Sequence, residues 1–178
     1  MQEHTLTMTI LHGLPASGKS TWARDHVDDR TIIVNVDGIR RSMTGTLSKW
    51  YSVGSRNDRE MIAITAAHTI AETALRSNVS VIIDMQNLNG RTVTQWTRIA
   101  ERHHANVVLV MFDAPIDDIL TRNAERPEDD RVPEDYIRRQ AERYGLGRSL
   151  VCGEVVRRFP NWAKRLYLPI QTGRKSVL

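Results

Sequence analysis

The stretch Gly13-Leu14-Pro15-Ala16-Ser17-Gly18-Lys19-Ser20, followed by Thr21, constrains this chain more than any other. It fits G-x-x-x-x-G-K-[ST], the pattern of a phosphate-binding loop. Each residue type has a physical reason. Gly13 and Gly18, with Pro15, Ala16 and Ser17 between them, let the backbone turn so tightly that successive N–H groups face one concavity, which suits an anion. Lys19 would set an ammonium on the β- and γ-phosphates, the Ser20 hydroxyl would ligate Mg²⁺, and Thr21 completes the nucleotide-binding set. Ahead of the loop, Thr5 to His12 alternates and is β-rich, as a strand should be. Behind it, Ser20 to Val27 lacks glycine and proline and supplies a helix whose N-terminus faces the phosphates.

Further strands follow at intervals long enough to hold helices. Thr31–Val36 is a short run rich in β-branched residues, and Asp37-Gly38-Ile39-Arg40-Arg41 follows it. An acid and two bases past a strand's carboxyl end lie where open parallel sheets bind ligands. Ser42 to Asn57 is expected to be irregular, with Trp50 and Tyr51 either stacking on a base or anchoring the loop. Arg59 to Arg76 repeats Met61, Ile64, Ala67, Ala71 and Ala74 at helical spacing, with His68 beside the stripe. Val79–Asp84 is a third buried strand, closing on an acid in the manner of a Walker-B carboxylate. Turn residues Asn87 to Gly90 lead to a helix that turns Val93, Trp96, Ile99 and Ala100 inward. Asn106–Phe112 is the strongest β run.

Asp113-Ala114-Pro115 opens the next helix, which ends in Arg122-Asn123-Ala124-Glu125-Arg126. The charged stretch Glu128–Arg131 precedes another helix whose inner stripe is Tyr136, Ile137, Gln140, Ala141 and Tyr144. Together, residues from about 115 to 145 have the makings of a helical lid over a phosphate site. The expected fold is therefore α/β: a P-loop kinase fold with a central parallel sheet of about four strands, flanked by helices and carrying that lid. Residues 1–150 would form one domain, and 151–178 a basic extension rather than a second domain.

Composition bounds the partners. A chain of 178 residues with 40% hydrophobic and 26% charged residues is large enough for a real core. Cys152 is the only cysteine, so an internal disulfide and a cysteine-built zinc site are excluded. Apolar runs are too short to span a membrane, and no signal-peptide pattern opens the chain, so no membrane partner and a cytoplasmic setting are expected. The charge is lopsided. Arg157, Arg158, Lys164, Arg165, Arg174 and Lys175 follow the last acid, Glu154; with those six taken from the net +4, the preceding residues carry −2. Such a tail either attracts phosphate backbones or is a solvated surface.

Four segments together resemble a known family. Gly13–Thr21, the Asp37-x-x-Arg40 step, Asp84 through Asn89, and Arg122-x-x-x-Arg126 with Phe112-Asp113-x-Pro115 ahead of it are similar to the 5′-kinase domain of phage polynucleotide kinase. The resemblance runs from about Thr5 to Tyr144. It implies that Lys19 and Ser20 bind nucleotide phosphates and Mg²⁺, with ATP or another NTP as donor. By the same resemblance Asp37 is the general base on a 5′-hydroxyl, Arg40 binds the acceptor's 3′-side phosphate, and Arg122 and Arg126 clamp the donor phosphates. DNA or RNA 5′-OH ends are the implied acceptors, in end repair, within the host cytoplasm if the chain is phage-encoded. The family's acid on the third strand often sits one position later, at Met85 here, while related P-loop kinases carry it at the Asp84 position. No Asp-x-Asp pair exists for a phosphatase of the kind the phage enzyme carries. The alternative on the same fold is a small-molecule kinase acting on a nucleoside, sugar or antibiotic.

Overall fold

The computed structural model describes residues 5–52, 57–148 and 153–159. Four parallel strands form the sheet: β1 (Thr7–His12), β2 (Thr31–Asn35), β3 (Ser80–Asp84) and β4 (Asn106–Asp113), in the order β2-β3-β1-β4. A fifth strand, β5 (Gly153–Phe159), pairs antiparallel with β4 at the edge. It holds Val155 and Val156 of the basic segment; Lys164 to Leu178, including Leu166-Tyr167-Leu168, lie outside the described residues.

Seven helices join and cover the strands among the described residues: α1 (Lys19–His26), α2 (Val36–Thr44), α3 (Leu47–Ser52), α4 (Asn57–Arg76), α5 (Gly90–Arg102), α6 (Ile116–Ala124) and α7 (Glu134–Tyr144). Side-chain alternation along the strands divides the core. Met8, Ile10, Val81, Ile83, Val107 and Leu109 meet α4 and α5 on one face. Leu11, Ile82, Val110 and Phe112 meet Ala23 and Trp22 of α1 on the other. A third cluster joins Leu47 and Trp50 of α3 to Ile119, Val132, Ile137 and Ala141 of the lid, and to Leu14 and Ala16 of the phosphate loop. The lid thus shares a core with the loop it faces.

Two expectations change. Ser42 to Ser52, expected to be irregular, is largely helical: α2 runs on to Thr44 and α3 covers Leu47–Ser52, while α2 itself is capped by the Asn35 side chain, which accepts from the Gly38 N–H and sets Asp37 in a first helical turn. In α4, Met61 is 66% exposed, and the inward stripe is Ala63, Ala67, Ala71 and Ala74. Alanines on that phase let the helix approach the sheet more closely than a stripe led by methionine would.

Trp96 is fully buried and donates from Nε1 to Asn87 Oδ1 at 3.0 Å; Asn87 Nδ2 in turn donates to the Leu11 carbonyl at 2.7 Å. This polar thread ties α5 to the end of β1, next to the phosphate loop. Trp96→Ala should cost about 3–5 kcal/mol by cavity formation. Asn87→Ala, which strands the indole N–H, should cost about 1–3 kcal/mol. Urea unfolding of both variants measures the two values.

Candidate active site

The loop between β1 and α1 has the backbone of an anion cradle. Gly13 has φ +152°, and a Cβ there would lie 2.7 Å from the Phe112 carbonyl oxygen and 2.9 Å from Ser17 Oγ. Gly18 has φ +105° and Ala16 φ +60°. The turn is therefore fixed both by conformation and by close approach to β4. Pro15 and Ser17 are buried within it, Ser20 is half-buried at the head of α1, and Thr21 is exposed.

Lys19 is only 6% exposed. Its ammonium donates to the Gly13 carbonyl at 3.0 Å, the Leu14 carbonyl at 2.6 Å and Ser17 Oγ at 3.4 Å. Burial pushes its pKa down to about 8, against the attraction of Asp84 and Asp37, and Arg126 lowers it further. Asp84 on β3, Asp37 on α2 and Arg126 just after α6 thus all bear on this one ammonium. His12, at the end of β1, is held neutral by burial and by Lys19, with its pKa lowered to about 4.

Parallel pairing brings the remaining groups to this edge. Asn35 and Asp84 are register partners on β2 and β3. Asn35 Nδ2 donates to Asp84 Oδ2 at 2.7 Å, so one side chain both orients the buried carboxylate and caps the helix carrying Asp37. Arg40 Nη1 donates to Asp37 Oδ1 at 2.7 Å, and its Nε donates to Glu60 Oε2 at 3.2 Å. Burial opposes the Arg40 charge, but Asp37 and Glu60 outweigh it and raise the pKa above the ordinary arginine value. Beneath the guanidinium lies Trp50, 5.8 Å away at the ring centroid, buried as an anchor. Tyr51 packs on Tyr136 of the lid with centroids 5.0 Å apart, and Gln86 Nε2 donates to the Tyr136 hydroxyl at 3.4 Å.

On the lid, Arg122 is exposed on α6, while Arg126 follows the helix end and is half-buried. Asn123 between them is buried, donating to the Val132 carbonyl at 2.8 Å and accepting from the Val132 N–H at 3.1 Å. That clasp folds the charged stretch back on α6. Arg41 of α2 pairs with Asp130 and fastens the lid tip to α2.

A metal ion fits this donor set. Ser20 and Asp84 offer hard oxygen ligands, and Mg²⁺ at such sites takes one or two protein ligands with substrate phosphates and water. No cluster of three or more His, Cys, Asp or Glu able to hold a metal exists among the described residues.

Sequence reasoning missed Asn35, Glu60 and Asn123. Asn35 carried a signal, an asparagine at the N-cap position before a helix; Glu60 and Asn123 carried none, because their partners are 20 and 9 residues away.

Residues 8–146 match the family model described as AAA domain (AAA_33). The chain belongs to this family. It is a P-loop protein of the AAA_33 type. It is 30% identical over 145 residues to the L-seryl-tRNA(Sec) kinase of Methanococcus maripaludis, covering 77% of this chain and 52% of that protein. The chain thus spans about half the length of this curated relative. A structure of the Pnkp1/Rnl/Hen1 RNA repair complex superposes with TM-score 0.68 at 21% identity, covering 98% of this chain and 55% of the other. A putative kinase from Chloroflexus aurantiacus superposes with TM-score 0.53 at 20% identity, covering 71% of this chain and 74% of the other. No helix among the described residues is long and apolar enough to cross a membrane.

The depressed pKa of Lys19 makes nucleotide binding pH-dependent with a defined sign. A bound polyphosphate stabilises the ammonium, so the bound pKa rises above the free value of about 8. Binding therefore takes up a proton at alkaline pH. Affinity should be level below pH of about 8 and fall by up to about tenfold per pH unit above it. Calorimetric titration in buffers of different ionisation enthalpy reads both; Lys19→Arg should flatten the curve, because arginine stays charged throughout.

Proposed function

We propose that this protein is a kinase that transfers the γ-phosphate of ATP or another NTP to the 5′-hydroxyl end of DNA or RNA, as in nucleic-acid end repair. The Asp37–Arg40 pair, beside the buried Lys19 at the carboxyl edge of the sheet, carries the reading. Two relatives whose names concern RNA, a tRNA kinase and an RNA repair complex, support a nucleic-acid acceptor. Asp37 accepts the hydroxyl proton as the new O–P bond forms. The acceptor oxygen attacks the γ-phosphorus, the bond to the β–γ bridging oxygen breaks, and the nucleoside diphosphate leaves. A carboxylate suffices as base, because the hydroxyl becomes acidic only as the bond forms. Lys19 and Arg126 neutralise charge on the transferring group, with Arg122 on the donor side, and Arg40 faces the acceptor's 3′-side phosphate. Ser20 and Asp84 would hold Mg²⁺, which would supply charge neutralisation to the donor phosphates. Residues 1–150 serve as the catalytic unit with its lid, and the basic residues after Glu154 attract the polynucleotide.

One observation favours a second reading, a small-molecule acceptor. Asp37, Glu60 and Arg40 together carry −1 beside the walls made by Trp50, Tyr51 and Tyr136, which suits a compact hydroxyl compound better than a polyanion. A panel of 5′-OH DNA, 5′-OH RNA, nucleosides and sugars with labelled ATP and Mg²⁺ separates the two. Label on oligonucleotide ends is the expected outcome, and label on nucleosides or sugars alone would establish the second reading.

Asp37→Asn should lose turnover while nucleotide Kd stays within about twofold, because the carboxylate meets the acceptor rather than the donor. Arg126→Ala should lower kcat by about 10³–10⁵, the range of an arginine that meets transition-state charge. Arg126→Lys should restore little, lacking the planar fork. Steady-state kinetics on a 5′-OH oligonucleotide checks both variants.

A further inference from the structure

The Arg40 guanidinium is divided between carboxylates from two different helices. Glu60, in the first turn of α4, takes one whole edge of the fork, accepting from Nε at 3.2 Å and from Nη2. Asp37 receives a single bond, from Nη1 to Oδ1 at 2.7 Å. The face of the fork is fixed over Trp50. The Arg40 side chain is 10% exposed, against 37% for Asp37 and 35% for Glu60, so the arginine is the buried hinge between two accessible acids. Asp37 Oδ2 has no hydrogen-bond partner among the described residues.

An arginine facing a lone carboxylate favours two parallel bonds, one to each oxygen. A base gripped that way has both oxygens engaged when the acceptor hydroxyl arrives. With Glu60 on the Nε and Nη2 edge and Trp50 under its face, the guanidinium is held in an orientation from which only Nη1 reaches Asp37. We propose that Glu60 is a positioning residue for phosphoryl transfer: it restricts Arg40 to one bond on Asp37 and so keeps Oδ2 open to the acceptor hydroxyl. The inference rests on the reading of Asp37 as the base. It also leaves one N–H on each η nitrogen of Arg40 without a protein partner among the described residues, directed away from the Glu60 edge and able to meet the acceptor.

Two experiments test it. In a crystal structure of Glu60→Ala, Arg40 should swing to hold both oxygens of Asp37; an Arg40 that keeps its single bond to Oδ1 would overturn the inference. In kinetics, Glu60→Ala should lower kcat by about 10²-fold, the scale of a misplaced reacting group, with the KM for NTP changed less than about twofold. Lysine cannot grip a carboxylate with a fork, so in an Arg40→Lys background the Glu60→Ala change should cost less than about threefold. Equal losses in both backgrounds would make Glu60 a plain structural brace and refute the proposal. The crystal structure needs no acceptor. A wild-type protein that leaves 5′-OH ends unlabelled, or an Asp37→Asn variant with full turnover, would therefore sink the functional reading alone, while the position of Arg40 still decides the role of Glu60.

Discussion

The buried ammonium of Lys19 is the constraint around which the rest of the site is arranged. A cation removed from water costs several kcal/mol unless its environment returns the lost solvation. Here two loop carbonyls and the Ser17 hydroxyl supply the hydrogen bonds, while Asp84 and Asp37 supply opposing charge. The balance is incomplete, as the pKa near 8 records. A site that holds a cation below its ordinary proton affinity gains most from an arriving anion. The electrostatics of the loop therefore favour an anion, as do its backbone N–H groups.

Holding that arrangement takes three separate cores. Residues facing α4 and α5 fix β3 and hence Asp84; those facing α1 fix the helix that begins at Lys19. The third core, joining the lid to Leu14, Ala16 and Trp50, sets the distance between the phosphate-binding loop motif and α3. Asn123 closes the lid on itself, and the Arg41–Asp130 pair fastens its tip across to α2. Since Arg41 and Asp130 are both partly exposed, that fastening contributes little to stability.

Much of this was legible beforehand where the signal was local. The glycine positions, the β-rich runs and the turn residues each act within a few residues, so Gly13–Thr21, the four parallel strands and the lid helices could be read in order. Elsewhere two local patterns compete. Met61 fits the same periodicity as Ala67 and Ala71, yet the sheet selects the small-residue phase because helix and strands must come close. Ser42 to Ser52 has the polar composition of a loop, yet α2 continues to Thr44 from its Asn35 cap and α3 is held by burial of Leu47 and Trp50.

By itself, then, the sequence determined which elements form, the conformation of the phosphate loop and the arrival of Lys19, Asp37 and Asp84 at a common edge. Parallel pairing with helical crossovers leaves no other place for strand ends to meet. Only the tertiary structure decided which side chain answers which. The register that sets Asn35 beside Asp84, the α2–α4 crossing that gives Arg40 to Glu60 as well as Asp37, and the lid contact between Tyr51 and Tyr136 have no periodic signature. Such contacts depend on the relative placement of whole elements to within an ångström or two. That placement is set by the packing of many side chains at once, which no single stretch of the chain encodes.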